Sequence, residues 1–101
     1  MVGKLAVQAA FREVADNLAV KGTIDAQIAA QEALVEAVAE TYRLARLRYD
    51  KGFDSYLSVL DAQRSFYGGQ QALIMLRLAR ADNIISLYKA LGGGLDENSR
   101  Q

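Results

Sequence analysis

Apolar side chains recur along this chain in two blocks, largely at sevenfold spacing, with one strong breaker between them. In the first block Val7, Val14, Ile28, Val35, Tyr42 and Tyr49 form one row, and Ile24, Val38 and Ala45 fill the intermediate positions. Such rows mark the a/d stripe of a helix that packs against another helix. Phe11, Leu18, Leu34, Leu44 and Leu47 lie off that stripe, so the apolar surface is broader than a two-stranded coil requires. In the second block Leu60, Tyr67, Ile74, Ala81 and Tyr88 repeat every seven residues, beside an adjacent row of Val59, Phe66, Leu73 and Leu87. Gln63, Gln70 and Arg77 hold positions where a tight dimeric coil would carry Leu.

The breaker is Asp50-Lys51-Gly52-Phe53-Asp54-Ser55. Gly52 can take the left-handed conformation that closes a helix C-terminus. Arg43, Arg46, Arg48 and Lys51 crowd the preceding turns, where cations complement the helix dipole. Asp54 or Ser55 suits the N-cap of a second helix. The pattern predicts an all-α fold: a long antiparallel two-helix hairpin, coiled-coil-like, with helices over 4–49 and 55–91 and a tight turn over 50–54. Helices of about 45 and 37 residues span roughly 70 and 55 Å. Gly92-Gly93-Gly94 reads as a stop, leaving 92–101 as a flexible tail. Gly22-Thr23 could divide the first helix, and Gly68-Gly69 costs the second about 1 kcal/mol per residue relative to Ala. The apolar rows continue across both spots, which favours two helices. A lone hairpin of this kind leaves apolar rows uncovered, so it needs further copies or further parts of its own chain.

Composition narrows the chemistry. The 101 residues contain no Pro, which suits uninterrupted helices, and 51% are hydrophobic. Twelve basic and twelve acidic residues give zero formal charge, hence no electrostatic reason to expect nucleic acid or an anionic membrane as partner. Without Cys or His there is no thiolate, no disulfide and neither the commonest general base nor the commonest metal ligand. Glu32, Glu36 and Glu40 share one helix face, but without His or a second acidic helix they read as a solvated surface rather than a metal site. No nucleophile–base pair or phosphate-cradling loop appears, so neither an enzyme nor a cofactor is expected. No stretch approaches the roughly 18 apolar residues of a membrane-spanning helix. Met1-Val2-Gly3-Lys4 leads straight into the amphipathic pattern without a leader; a chain working outside the cytoplasm is therefore expected to be a piece of a longer one.

The stretch from Arg48 to Ser65 reads R-Y-x-x-G-x-x-x-x-L-x-V-L-D-A-Q-R-S and resembles a signature of the TolC family, in the branch serving resistance-nodulation-division efflux pumps. Ala10-Phe11-Arg12-Glu13-Val14-Ala15-Asp16 is similar to the start of that family's last long helix, and Leu87-Tyr88-Lys89-Ala90-Leu91-Gly92-Gly93-Gly94 to its close. The resemblance covers nearly the whole chain. It implies a homotrimeric channel with an outer-membrane β-barrel and a periplasmic α-helical barrel, of which this chain is the final hairpin. It also implies a periplasmic adaptor and an inner-membrane transporter as partners, and a position for this segment in the periplasm.

The resemblance assigns roles by position. Leu57, Asp61 and Arg64 match residues at the channel's closed entrance, and Arg48 and Tyr49 match gate residues that bond to a neighbouring hairpin. Three copies of Asp61 around a threefold axis would form a carboxylate ring, which favours cations. Arg64, at i+3 from Asp61, lies on the same face and offers a partner for an Asp61. Taken alone, Asp61 is a solvated acid near a helix start, Arg48 a helix-end cation and Tyr49 a seam residue. Gly52, Phe53 and Ser55 form the tip surface that the resemblance presents to the adaptor; turn chemistry alone explains Gly52. TolC itself has an Arg at the position of Asp54 and an acid at that of Ser58, so its version of the gate does not carry over whole. Leu60, Tyr67 and Ile74 read as packing. The alternative is a generic self-associating helical hairpin with a structural role. Either way the isolated chain is expected to pair as an antiparallel dimer, a four-helix bundle.

Overall fold

The computed structural model describes residues 2–99, with side chains from 3 to 92. The chain is an all-α antiparallel hairpin of two helices, α1 (Val2–Asp50, 49 residues) and α2 (Tyr56–Ser99, 44 residues), with no strand among the described residues. The turn occupies the residues between them, one position later than its expected start and end. Gly22 does not divide α1: the Thr23 hydroxyl donates back to the Ala19 carbonyl (3.2 Å) instead of capping a new helix. The Gly92-Gly93-Gly94 run does not stop α2, which continues to Ser99. Glycine lowers helix propensity by about 1 kcal/mol per residue but forbids nothing, and no proline follows to enforce a stop.

The turn is built by backbone hydrogen bonds. The N–H of Phe53 donates to the Arg48 carbonyl (2.8 Å) and the N–H of Gly52 to the Tyr49 carbonyl (2.9 Å). Gly52 has φ +78°. This paired 6→1 and 5→2 pattern with a left-handed residue is the Schellman closure of a helix. It satisfies the carbonyls that a helix end otherwise leaves bare.

Contacts divide the hairpin into two units: Gln27–Arg77 around the turn, and the residues up to Ala26 together with those from Leu78 on. In the first unit α1 offers Ile28, Val35, Val38, Tyr42 and Ala45 to α2, in the rows its spacing predicts. The α2 side is made by Val59, Phe66 and Leu73 together with Ala62, Gly69 and Leu76. Ala45, Val59 and Ala62 form a small core against Tyr42, whose ring meets Phe66 at 5.9 Å. The row Leu60, Tyr67 and Ile74 does not pack on α1; Tyr67 and Ile74 remain 54% and 55% exposed. A row offering Ala62 and Gly69 permits closer approach of the helices than bulky Leu, Tyr and Ile would.

The second unit has a more polar seam. Val14 and Ile24 of α1 and Leu87 and Ala90 of α2 line it, but so do Asn17, Lys21, Arg80 and Asn83. Asn83 is buried and its amide donates across to the Asn17 carbonyl (3.1 Å), while its Oδ1 has no hydrogen-bond partner among the described residues. Lys21 turns to Asp25, one turn on (2.9 Å).

Replacing Gly52 by Ala places a side chain in the left-handed region and is expected to lower stability by about 1–2 kcal/mol. Replacing Gly22 by Ala, where a Cβ meets nothing within 4 Å, is expected to raise it by about 1 kcal/mol. Denaturant titration followed by circular dichroism measures both. A Gly52→Ala midpoint equal to the parent's would show that the turn tolerates an ordinary residue.

Candidate functional site

The residues singled out by the tip signature fall on the turn and the helix ends that flank it. Arg48 and Tyr49 close α1, Gly52, Phe53 and Ser55 lie in the turn, and Leu57, Asp61 and Arg64 occupy the first turns of α2. All eight are exposed. Phe53 is 81% and Leu57 67% accessible, so two large apolar side chains stand in solvent at this end of the unit. Tyr49 does not fill the seam. Its ring packs instead on Tyr56 across the turn, with centroids 5.2 Å apart and planes inclined at 58°.

The start of α2 is held by Asp54. Its Oδ1 accepts from the backbone N–H of Ser55 (2.9 Å) and from the hydroxyl of Ser58 (2.8 Å). The Ser58 N–H in turn donates to the Ser55 carbonyl (3.2 Å). These bonds keep the Asp54 carboxyl below the ordinary aspartate range, the Ser58 hydroxyl contributing most, then the Ser55 amide, with Arg48 a lesser electrostatic influence. Asp54 thus braces the turn against the first turn of α2 through the Ser58 side chain at i+4, rather than by accepting an amide of that helix as an N-cap does.

One groove opens on the flank of this unit. Thr41, Leu44 and Arg48 line it from α1, and Asp54, Ser58 and Asp61 from the turn and α2, around about 450 Å³. It brings Arg48 and Asp61 to one surface although thirteen positions separate them in the chain. Arg64, Leu57 and Tyr49 do not line it. Asp61 and Arg64 form no ion pair; the pairs present among the described residues are Lys21–Asp25, Glu40–Arg43 and Glu32–Arg77. Both side chains are solvated, where a short-range pair gains little over water. Glu32 and Glu40 are spoken for by arginines: Arg77 at 3.8 Å and Arg43 at 2.6 Å, the latter hydrogen bond holding the Glu40 carboxyl below its usual range.

Local rules offered Asp54 as an N-cap candidate, but the spacing of charges did not reveal its bond to Ser58, or Tyr56 as a member of the tip. The Asp54–Ser58 bond was detectable as an acid and a hydroxyl at i and i+4 beside a turn. The Tyr49–Tyr56 contact depends on the turn geometry and has no local signal.

The family model for outer membrane efflux proteins matches residues 4–93. The toluene efflux pump outer membrane protein TtgF of Pseudomonas putida is 50% identical over 95 residues, which make up 94% of this chain and 20% of that protein. The cation efflux system protein CusC of Escherichia coli is 48% identical over 88 residues, 87% of this chain and 19% of that one. A crystal structure of CusC superposes with a TM-score of 0.85 at 45% identity, covering 87% of this chain and 25% of that chain. A membrane protein from Pseudomonas aeruginosa gives 0.74 at 40% identity, over 83% and 20%. The chain thus spans about a fifth of the length of the relatives it matches.

The Asp54 bonds set a pH dependence. A carboxyl whose folded-state value lies below its unfolded one stabilises the fold above the ordinary aspartate range of about 4, and the contribution is lost as pH falls through the lowered value. Asp54→Ala is therefore expected to melt below the parent at neutral pH and to converge with it under strong acid. Asp54→Asn, which keeps an acceptor at Oδ1, should fall between. Thermal melts across pH check this; a difference that persists unchanged in strong acid would assign the effect to something other than the carboxylate.

Proposed function

The chain belongs to the outer membrane efflux protein family, and from that premise we propose that it forms part of the periplasmic α-helical duct of a homotrimeric outer-membrane channel. In this reading the turn at Gly52 is the tip at the duct's entrance. Leu57, Asp61 and Arg64, with Arg48 and Tyr49, form the gate. Gly52, Phe53 and Ser55 meet a periplasmic adaptor, and an inner-membrane transporter of the resistance-nodulation-division class feeds the duct. The chain is a passive conduit without catalytic residues or cofactor.

The observation that carries the reading is the exposure of the whole tip set. Leu57, Asp61 and Arg64 are exposed on α2, Asp61 and Arg64 without an ion-pair partner among the described residues, and Phe53 and Leu57 are apolar groups standing in water. Exposed apolar side chains beside unpaired charges mark a surface that another protein covers. In this reading Asp61 and Arg64, which do not pair with each other within one chain, pair between copies to close the entrance. Arg48, on the groove shared with Asp61, is positioned to join them.

A second reading, a self-associating hairpin with only a structural role, rests on the uncovered row Leu60, Tyr67 and Ile74 in the tip unit. It accounts for the apolar row but not for the charged tip. The two readings share one expectation: the isolated chain pairs as an antiparallel dimer of four helices. Sedimentation equilibrium is expected to give twice the chain mass; a monomer at high concentration would count against it.

The gate reading is tested in the full-length channel by planar-bilayer conductance. Asp61→Ala is expected to raise conductance and lower cation preference, because it removes the carboxylate ring. Arg64→Ala is expected to raise both. Loss of the interchain pairs shifts the closed–open balance by about tenfold. Parental conductance and selectivity in both variants would leave Asp61 and Arg64 as ordinary solvated residues.

A further inference from the structure

Two adjacent glycines, Gly68 and Gly69, lie within the first third of α2, and neither is demanded by the conformation seen. Among the described glycines only Gly52 has a positive φ. A Cβ added at Gly68 meets nothing within 4 Å. At Gly69 it would stand 3.5 Å from Val35 Cγ2 and 3.6 Å from Val38 Cγ2, which is ordinary contact. Alanine fits at both positions and favours helix by about fivefold at each. The straight helix thus gains nothing from the pair.

The carbonyl of Gly69 carries an added bond. Gln31 reaches across the seam from α1, and its Nε2 donates to that oxygen at 3.0 Å. In a regular helix the same oxygen accepts the N–H four residues on, from Leu73, so two donors converge on one acceptor. Sharp helix bends occur chiefly at proline, at glycine pairs, at bulges, and where a side chain enters the hydrogen-bond ladder. The glycine pair supplies one of those causes, while α2 stays helical through the Gln31 bond, which ties the Gly69 carbonyl to α1 and so opposes a bend. Beside the pair a groove of about 720 Å³, lined by Ala30, Gln31, Leu34, Ala72 and Met75, leaves the Gln31 side chain room to withdraw.

We propose that Gly68–Gly69 is a hinge in α2 and that Gln31 is the latch that holds it straight. When the latch is made, the Val35 and Val38 side chains press on a flat, Cβ-free patch and the stretch from Tyr56 to Tyr67 stays in line with Gln70 to Arg77. When Gln31 withdraws, the stretch bearing Leu57, Asp61 and Arg64 bends away as one piece. The use of that movement rests on the gate reading above; the hinge itself does not.

Amide hydrogen exchange on the chain, followed residue by residue by NMR, tests it. Protection factors are taken against each residue's own unstructured rate, which removes the intrinsic fast exchange of glycine. The amides of Gln70 to Leu73 are expected to be protected at least about tenfold less than those one turn before and after. Gly68→Ala is expected to raise protection there by about fivefold and to leave Tyr42 to Leu47 of α1 unchanged. Gln31→Leu is expected to lower protection at Leu73 several-fold while the melting midpoint holds or rises, because Leu fills a seam position. A residue with only a packing role would move both together. Even protection from Arg64 to Arg77, a Gly68→Ala effect spread over both helices, or undiminished protection at Leu73 in Gln31→Leu would each overturn the hinge. Exchange is read without a pore, so its outcome is independent of the Asp61→Ala conductance that decides the gate reading.

Discussion

The tip unit depends on an unequal division of volume across its seam. α1 brings Ile28, Val35, Val38 and Tyr42, all bulky, while α2 places Ala62 and Gly69 among Val59, Phe66 and Leu73. Large against small lets two helices approach closely and interdigitate, which is how interiors reach high density without strain. The choice has a cost on the opposite side. With the small residues turned inward, Leu60, Tyr67 and Ile74 are turned out, and α2 carries apolar rows on two faces. A helix apolar on two sides suits neither a monomer nor a simple pair; it suits a closed ring of helices in which each has two neighbours.

That division explains which parts of the fold were legible from sequence. On α1 the rows Val35, Val38 and Tyr42, named from sevenfold spacing, are the ones found against α2, while Leu34, Leu44 and Leu47, off that spacing, stay exposed. On α2 the sequence offers two sevenfold rows, Leu60, Tyr67 and Ile74 beside Val59, Phe66 and Leu73, and the seam uses the second together with Ala62 and Gly69. Hydrophobicity ranks residues by what they gain when buried, and says nothing of how closely two backbones approach. The closing glycines failed for a related reason: Gly92 to Gly94 weaken a helix without ending it, while Gly52 ends one because its left-handed φ is fixed by two carbonyl-seeking amides.

At the tip, positions came through better than partners. The turn and the placement of Arg48, Tyr49, Leu57, Asp61 and Arg64 beside it follow from local rules and from the resemblance. The proximity of Arg48 to Asp61 on one groove, and the packing of Tyr49 on Tyr56, arise only once two helices are set in register. The i, i+3 spacing of Asp61 and Arg64 promised a pair that water dissolves. In the other unit, Asn83 bonding to the Asn17 carbonyl places a polar anchor where the seam is least apolar. A buried amide that must find its partner penalises shifted registers, much as a lone Asn does in a coiled coil.

The contacts that span the two helices also set an order in time. Tyr49 and Tyr56 meet across a short loop, Gln31 and Gly69 are 38 residues apart, and Asn17 and Asn83 are 66. The entropy of closing a loop rises with its length, so forming the far contacts first would be the slow route. Once the Schellman turn and the tyrosine pair have formed, each further contact closes only one additional turn of helix on either side. In the tip unit the Schellman turn and the tyrosine pair close the shortest loops, so a contact such as Gln31–Gly69 carries a smaller closure cost once they have formed.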